Sequence, residues 1–521
     1  MKSPTPMADP RILIVTPEIS YLPGELGNLA SRMHAKAGGL ADVTSSLVKS
    51  LHEAGADVHV ALPNYRRLFH IEPCQLQDQE SRHYHSKLPS DRIHLAEDRV
   101  FYYRDHVYST HSDDNVRCSL VFQREVINNI IPHVRPDIVH CNDWMTALIP
   151  AMARRIGIPS LFTLHNIHSV KILLEQIEET GIDTSEFWQH LYYESPPSSY
   201  EQSRSSNPID MLTSGIFASH WVNTVSPSFL DEITQSQHAW IPGKVCNELH
   251  NKKAAGFASG ITNAPDPSYN PSTDEALAHP FSAQTSAEGK LINKRLFQKK
   301  MGLRPNDEAP LLFWPSRLDP VQKGPEILTD ILAELISKYS KHGMQIAFVA
   351  DGSHGHYIKD IISMANLEGL VSIHPFDENL SRLGYAASDF MLMPSKFEPC
   401  GLTQMIALKY GSLPIVHRTG GLKDTIEHLN TVNSQGNGFV FDDYDSQALN
   451  WAIRCAMDFY QLAPELKQRE IERVMHEAHS RFTHQKTASQ YINLYEEMLG
   501  KALHSKALHS KPRHSKESTS I

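Results

Sequence analysis

A glutamate stands at the junction between a short apolar run and a longer run with helical spacing. The segment PSKFEPCGLTQMIALKYG covers residues 394–411, with Glu398 near its start. The preceding DFMLMP is short and apolar, which predicts a buried strand, and the residues after Gly401 repeat apolar positions at helical spacing. Glu398 is therefore expected at the carboxyl end of a strand, where open α/β sheets bind their ligands.

Two cations follow another predicted strand, in the segment FWPSRLDPVQKG at residues 313–324. Arg317 and Lys323 could neutralise a diphosphate at the mouth of a sheet, because arginine offers a planar fork of donors and lysine a point charge. An ordinary solvated loop has the same composition, so this segment leaves both interpretations open.

Glycines also precede a predicted helix near the amino terminus. In HAKAGGLADV, Lys36 comes just before Gly38 and Gly39, and an amphipathic helix follows. Glycine lets backbone N–H groups approach a ligand, and a helix N-terminus favours an anion. A turn that only starts a helix fits equally well. The sequence contains neither a Walker A motif nor a G-x-G-x-x-G motif after the first strand.

Polar and aromatic residues follow two further predicted strands, in HCNDW and TLHN. Asp143, Trp144 and His165 lie at or just after these strand ends, which makes a sugar pocket a reasonable hypothesis, whereas a lone histidine in such a place is usually an ordinary core or surface residue. Asp443 and Asp445 match the D-x-D of metal-dependent glycosyltransferases, but Asp445 precedes an apolar helical pattern and is predicted to be an N-cap. We expect no metal site.

The elements that must position these residues alternate along the chain as β-branched runs and helical patterns. This alternation is typical of parallel sheets built from βαβ units, and it is interrupted between about residues 240 and 305. Two doubly wound domains joined by a linker are predicted. The ten strand-like runs are RILIVTPE, ADVHVALP, PDIVHC, SLFTLHN, WVNTVS, LLFWPSR, MQIAFVADG, LVSIHPF, FMLMPS and LPIVHRTGG.

Composition narrows the classes of protein. The 521 residues include 49 Lys and Arg and 59 Asp and Glu, which gives a net charge of −10. This charge argues against a protein that coats nucleic acid or anionic lipid. Six scattered cysteines indicate a reducing compartment, and no run reaches the ~18 apolar residues of a membrane helix. A cytoplasmic protein without membrane or nucleic-acid partners is expected.

The Ser- and Pro-rich insert at residues 193–210 is predicted to be a mobile loop.

Several blocks together resemble the bacterial glycogen synthase and plant starch synthase family. They are KAGGLADV, HCNDW, TLHN, TVSPSF, SRLDPVQKG, YAASDFMLMPSKFEPCGLTQMIAL, GSLPIVHRTGGLKDT and FDDYDSQAL, and the resemblance spans about residues 11–500. It implies the α/β GT-B fold, in which two Rossmann-like doubly wound domains face each other across a cleft.

The resemblance also implies a division of the chain. Residues 1–300 would form the N-terminal Rossmann-like domain, with the acceptor side and the Lys-x-Gly-Gly donor loop, and residues 301–480 the nucleotide-sugar-binding domain. Residues 481–500 would be a helix that returns to the N-terminal domain. Residues 501–521, with three His-Ser-Lys repeats, would be a disordered basic tail.

The implied activity is transfer of glucose from ADP-glucose to the nonreducing end of glycogen or another α-1,4-glucan, with retention at the anomeric carbon. ADP-glucose is then the donor substrate, and no cofactor is expected. Two alternatives stay open. One is a retaining GT-B transferase that uses UDP-glucose, and the other is a catalytically silent glucan-binding homologue.

Site residues are carried over from the same blocks. The catalytic set comprises Glu398 as the carboxylate aimed at the sugar, His165 on the transferred glucose, and Arg317 and Lys323 on the diphosphate. Tyr385 would lie against the adenine. The donor set as a whole comprises Lys36, Gly38, Gly39, Asp42, Asp143, Asn263, Tyr385, Gly401, Leu402 and Thr403.

Three stretches depart from the family pattern. Ala264 and Pro265 follow Asn263 where the family has N-G-[IV]-D, so the rim around Asn263 is expected to be displaced. HSVKI stands after TLHNI in place of a Tyr-Gln-Gly turn, and ADGSHGHY carries two histidines in place of a glycine-rich loop. These changes bear more on acceptor contacts than on donor binding.

Overall fold

The computed structural model describes residues 9–27, 30–70, 92–501 and 503. The chain divides into two compact units. The first comprises the residues up to Thr163, Ile167–Val222 and the residues from Ala488 onwards, and the second comprises Leu164–Asn166 and Asn223–Thr487. Residues 223–300 therefore group with the second unit, although the sequence interpretation assigns them to the first domain. The predicted basic tail lies outside the described residues, apart from its first residue and Leu503.

All ten runs predicted as strands are strands in the structure. The strands at Ile93–Ala96, Lys171–Ile172, Ile209–Asp210, Ala258–Gly260 and Phe439–Phe441 were not predicted. The strands are β1 Arg11–Val15, β2 Asp57–Pro63, β3 Ile93–Ala96, β4 Ile138–Asn142, β5 Ser160–Leu164, β6 Lys171–Ile172, β7 Ile209–Asp210, β8 Trp221–Thr224, β9 Ala258–Gly260, β10 Leu311–Trp314, β11 Gln345–Val349, β12 Val371–His374, β13 Phe390–Met393, β14 Leu413–His417 and β15 Phe439–Phe441.

Helices fill most of the connections between the strands. The α-helices are α1 Gly39–Glu53, α2 Arg99–Tyr102, α3 Ser112–Glu125, α4 Ile131–Val134, α5 Ile149–Arg155, α6 Leu174–Glu178, α7 Tyr200–Ser206, α8 Met211–Ala218, α9 Pro227–Thr234, α10 Gly243–Ala254, α11 Ser286–Met301, α12 Pro325–Thr329, α13 Leu332–Lys338, α14 Gly355–Met364, α15 Glu378–Ala387, α16 Thr403–Lys409, α17 Gly420–Thr425, α18 Ser446–Tyr460, α19 Pro464–Arg481 and α20 His484–Leu499. A π-helical turn at Val126–Ile130 and short 3-10 turns complete the described helices.

The first sheet has the strand order β3-β2-β1-β4-β5-β8-β9. The interior strand β1 pairs in parallel with both β2 and β4, and Ile12 lies opposite Val58 on one side and Ile138 on the other. Residues Ile12–Val15 are completely buried. Burial on both faces explains why these strands are continuous apolar runs rather than alternating patterns.

The second sheet has the order β12-β11-β10-β13-β14-β15, and its neighbouring strands pair in parallel. In this doubly wound order, strands are added towards one edge of the sheet from β10 to β12 and towards the other edge from β13 to β15. Ligands bind outside the carboxyl ends of the strands at such a switch point, which here lies between β10 and β13. The loop that carries Arg317 and Lys323 follows β10, and the loop that carries Glu398 follows β13. The topology therefore places three of the four predicted catalytic residues, Arg317, Lys323 and Glu398, on adjacent loops, whereas His165 follows β5 of the first sheet.

The insert at residues 193–210 contains regular structure, so the expectation of a loop there was wrong. Ser199 caps α7 by accepting a hydrogen bond of 3.2 Å from the Gln202 amide. Strand β7 then pairs antiparallel with β6.

Among the described residues, no helix has both the length and the apolar character needed to cross a membrane.

The C-terminal helix α20 contributes to the core of the first unit. The Tyr495 hydroxyl lies 2.8 Å from Nδ1 of the buried His140 on β4, and Nε2 of that histidine lies 2.6 Å from the Thr163 hydroxyl. The Tyr491 ring lies 5.4 Å from the His140 ring, between centroids. A buried polar side chain that is bonded at both ring nitrogens ties the end of the chain to the central sheet.

We predict that Tyr495→Phe lowers the free energy of unfolding by about 1–3 kcal/mol, because the buried His140 loses its bond to the hydroxyl. Thermal or urea denaturation measures the change. Tyr103→Phe is the matched control, since Tyr103 is 75% exposed. Equal stability of the two variants would contradict a structural role for the His140–Tyr495 bond.

Candidate active site

The loops after β10 and β13 meet through a buried ion pair. Lys323 Nζ lies 2.6 Å from Glu398 Oε2, and the Ser395 hydroxyl donates to the same oxygen at 3.1 Å. Gly324 makes this approach possible. It has a φ of +71°, and a Cβ at this position would collide with the Pro394 carbonyl. Lys323 and Glu398, 75 positions apart in the chain, are therefore in direct contact.

The charges at this switch point are unevenly exposed. Glu398 is only 5% exposed, and a carboxylate at that depth needs both an opposite charge and hydrogen bonds to remain ionised. Arg317, on the same loop as Lys323, is exposed and has no hydrogen-bond or ion-pair partner among the described residues. The site therefore presents one buried carboxylate, one paired ammonium and one solvated guanidinium.

The backbone of Glu398 is held by a glycine turn at the start of α17. The Gly421 amide donates to the Glu398 carbonyl at 2.9 Å. Gly420 has a φ of +42°, and a Cβ on it would collide with the same carbonyl. Only glycine suits this contact, because a side chain would push the turn away from Glu398.

Glu232, on α9, fixes that glycine turn and was not identified from the sequence. It accepts hydrogen bonds from the Gly420 amide at 2.7 Å, from the Thr419 hydroxyl at 3.2 Å and from His238 Nε2 at 2.9 Å. Burial alone would raise the pKa of Glu232, but these hydrogen bonds lower its pKa below the usual value. An ionised Glu232 thus supports the turn that supports Glu398. The block RTGGLKDT contains this turn, but no pattern in the sequence pointed to Glu232 as its partner.

Asn263 lies beside the Glu398 loop despite the altered residues after it. Its backbone amide donates a hydrogen bond to the sulfur of Cys400, and burial raises the pKa of that thiol to about 12. The Asn263 side chain is 5% exposed, and its Oδ1 has no hydrogen-bond partner within the described part of the chain. A buried acceptor without a donor is uncommon in native proteins, and a ligand hydroxyl would satisfy it.

Gly401, Leu402 and Thr403 form the start of α16, directly after Glu398 and Cys400. Gly401 has a φ of +73°, and all three residues are partly exposed. The Thr403 hydroxyl donates to Met393 Sδ at 3.1 Å, so its side chain already has a partner in this structure. Their backbone remains next to the site, as the sequence interpretation requires for contact with a phosphate.

Tyr385 occupies a different place from the predicted one. Its side chain is 4% exposed and belongs to the core of the second unit, where its ring packs edge-on against Phe313 with 5.4 Å between centroids. Burial raises its pKa well above the usual value. Tyr385 lies on the apolar face of α15, and that face is turned inwards. The ring therefore has no face open to a nucleotide base, which corrects the predicted stacking role.

In the first unit, Lys36 and the glycines lie around a buried carboxylate. Glu18 Oε2 accepts hydrogen bonds from the amides of Ala37 at 2.8 Å and Gly38 at 2.9 Å. Lys36 Nζ pairs with Asp42 Oδ2 at 2.8 Å, and Gly39 is the first residue of α1. The Gly38 amide, expected to face a ligand, is thus bonded to the protein's own carboxylate.

Glu18 also links this loop to Tyr108, which lies near Asp143. The Tyr108 hydroxyl donates to Glu18 Oε1 at 3.0 Å. Burial raises the pKa of Tyr108 well above its usual value, and the nearby charges of Glu18 and Asp143 add to the effect. Asp143 is 4% exposed. A cavity of about 630 Å³ adjoins Lys36 and Tyr108, and its lining includes His34, Lys36, Arg67, His70 and His106.

Two further predictions concern single side chains. Burial lowers the pKa of His165 to about 3, so the imidazole is neutral at neutral pH and can offer a ligand hydrogen bonds but no charge. Asp445 caps α18, accepting a hydrogen bond from the Ala448 amide at 2.8 Å, which confirms its predicted N-cap role. Within the described ranges, no group of three or more His, Cys, Asp or Glu side chains is arranged to hold a metal ion.

We predict that Glu232→Gln lowers kcat by roughly 10²-fold, because a small displacement of a reacting group has an effect of that size. The amide side chain cannot accept all the hydrogen bonds that now fix the Thr419–Gly421 turn. Steady-state kinetics and thermal denaturation on the same preparation test the prediction.

Glu470→Gln is the matched control, since Glu470 is also buried and accepts hydrogen bonds from Ser434 and Arg473. It should lose stability and keep its kcat. If both variants lose kcat in proportion to their loss of stability, Glu232 has only a structural role.

Two protein families match the chain. Residues 11–244 match the family described as "Starch synthase catalytic domain", and residues 297–473 match "Glycosyl transferases group 1". The chain is 32% identical to the glycogen synthase of Exiguobacterium sibiricum over 489 residues, covering 88% of this chain and 95% of that protein. It is also 32% identical to the glycogen synthase of Moorella thermoacetica over 515 residues, covering 94% and 97%. The resemblance seen in the sequence is therefore confirmed.

Solved structures of glycosyltransferases have the same fold as this chain. The catalytic domain of starch synthase IV from Arabidopsis thaliana, bound to ADP and acarbose, matches with a TM-score of 0.74 at 25% identity, covering 95% of this chain and 100% of that chain. Sucrose-phosphate synthase from Thermosynechococcus elongatus matches with a TM-score of 0.56 at 16% identity, covering 94% and 99%. The two parallel α/β units have the GT-B glycosyltransferase fold, as predicted.

Proposed function

The chain belongs to the glycogen synthase family, and on that premise we propose that it extends an α-1,4-glucan with glucose from ADP-glucose, retaining the anomeric configuration. The family makes it a hexosyltransferase with a nucleotide-sugar donor and a glucan acceptor. The identity of the nucleotide, the stereochemical outcome and the roles of single residues belong to the proposal.

The contact of Lys323 with Glu398 is the observation that carries the proposal. When the bond between the sugar and the diphosphate breaks, positive charge develops at the anomeric carbon and negative charge on the departing ADP. Glu398 would stabilise the first charge, and Lys323 with Arg317 the second. Glu398 and Lys323 are fixed in place before the reaction by their ion pair and the Ser395 hydroxyl, so little reorganisation of these two groups is needed as the charges develop.

The remaining residues would bind the sugar and the phosphates. Asn263 Oδ1 suits a sugar hydroxyl because it is buried without a donor. His165, neutral at working pH, would hydrogen-bond the transferred glucose together with Asp143. Lys36 and the amides at the start of α16 would complete the contacts to the diphosphate.

ADP-glucose is favoured over UDP-glucose by the family resemblance and by the ADP bound to the related starch synthase IV. Assays with each donor, with and without glycogen, test this choice. If glucose is incorporated into glucan from UDP-glucose but not from ADP-glucose, the donor is UDP-glucose. If neither donor gives incorporation, a catalytically silent glucan-binding protein is favoured. We also propose a cytoplasmic location without membrane or nucleic-acid partners, supported by the scattered cysteines and the net charge of −10.

We predict that Glu398→Gln lowers turnover by roughly 10²- to 10³-fold, the effect of removing one preorganised electrostatic group. Glutamine keeps an oxygen that can accept from Lys323 and Ser395, so the fold and ADP binding should survive. Turnover, calorimetric ADP affinity and thermal stability are measured on one preparation. Turnover near the wild-type rate would remove Glu398 from catalysis, whereas loss of folding would assign it a structural role.

We also predict that EDTA leaves activity essentially unchanged, because Arg317, Lys323 and backbone amides would stabilise the departing diphosphate without a bound cation. Initial rates with and without chelator test this expectation. Complete loss of activity that manganese restores would show that a metal ion is required.

A further inference from the structure

An exposed tryptophan packs directly against the residue that precedes the catalytic carboxylate. Trp240 lies in the turn between α9 and α10 and is 43% exposed. Its ring is 4.2 Å from the ring of Phe397, between centroids, with an angle of 34° between the ring planes. Phe397 is itself only partly buried and is followed in the chain by Glu398.

This aromatic pair is held in place by the same residues that support the site. The His238 ring lies 6.0 Å from that of Trp240 and 6.2 Å from that of Phe397, between centroids. Glu232 binds His238 Nε2, and the Ile241 amide bonds back to the His238 carbonyl at 3.0 Å. The pair is therefore preorganised, so a ligand loses little free energy in ordering it.

The cations and Trp240 reach the Glu398 loop from different parts of the second unit. Strand β13 lies between β10 and β14. Lys323 and Arg317 follow β10, whereas Trp240 comes from the segment that Glu232 anchors to the turn after β14. Lys323 and Trp240 thus reach the Glu398 loop from segments associated with different neighbours of β13.

We propose that Trp240 and Phe397 form a subsite for a glucosyl unit of the acceptor glucan. A pyranose ring has an apolar face of C–H groups, which can lie on an aromatic ring while the hydroxyls at its edge stay in water. The two aromatic rings carry no charge, which suits a neutral sugar rather than a phosphate. This inference rests on the proposed glucan transfer and names residues that would select its acceptor.

The test uses Trp240→Ala and Trp240→Leu in the full chain, with maltoheptaose and glycogen as acceptors. Both variants should raise the KM for each glucan by roughly 2- to 10-fold, which corresponds to the loss of one aromatic contact. The KM for ADP-glucose should not change. Trp240→Phe keeps a ring face and should restore most of the affinity. Leucine keeps an apolar contact with Phe397, so it provides a folded variant if alanine does not.

Trp451→Ala is the matched control. Trp451 is also 43% exposed and stacks on a histidine, His428, with 5.4 Å between centroids, but it lies on α18. This variant should leave the KM for glucan unchanged. Thermal denaturation of every variant separates loss of binding from loss of fold.

Retardation in gels that contain glycogen, without any donor, measures glucan binding independently of transfer. Weaker retardation of Trp240→Leu than of wild type and Trp451→Ala supports the subsite even if the transfer assay fails. Unchanged retardation and an unchanged glucan KM overturn it. A raised KM for ADP-glucose with an unchanged glucan KM also overturns it, since the pair would then bind the base of the donor.

Discussion

A carboxylate buried next to an ammonium is the constraint on which the second unit depends. Glu398 is 5% exposed, and removing its charge from water without a partner would cost several kcal/mol. Lys323 offsets this cost from 2.6 Å, which requires β10 and β13 to be adjacent and a glycine at position 324. The switch point of the sheet and the chemistry of the site are therefore consequences of one arrangement.

Both units fix their glycine turns in the same way. Glu18 accepts amide hydrogen bonds from the turn before α1, and Glu232 accepts one from Gly420, the first residue of α17. A helix N-terminus attracts negative charge, and here the charge is supplied by the protein's own carboxylates. The sequence predicted the turn at Gly38 and Gly39 as an anion site, but the anion was assigned to the substrate.

The predictions that failed share a physical origin. Tyr385 belongs to a recognisable block, yet the inward face of α15 buries its ring against Phe313. The insert at residues 193–210 has the composition of a loop, yet a serine cap and a two-residue strand give it regular structure. In both cases packing against distant residues outweighed the local pattern, and composition alone carries no information about such packing.

The sequence by itself determined the two parallel sheets, their ten main strands and the loops that carry Lys323 and Glu398, because buried strands require continuous apolar runs and these residues follow them in short blocks. Tertiary structure alone decided which groups support those residues. Glu232 and Gly420 are 188 positions apart in the sequence, and the ring contact between Trp240 and Phe397 also joins residues that are far apart in the sequence. A hydrogen bond or ring contact between such positions leaves no periodic trace in the chain, since it depends on how the folded elements pack.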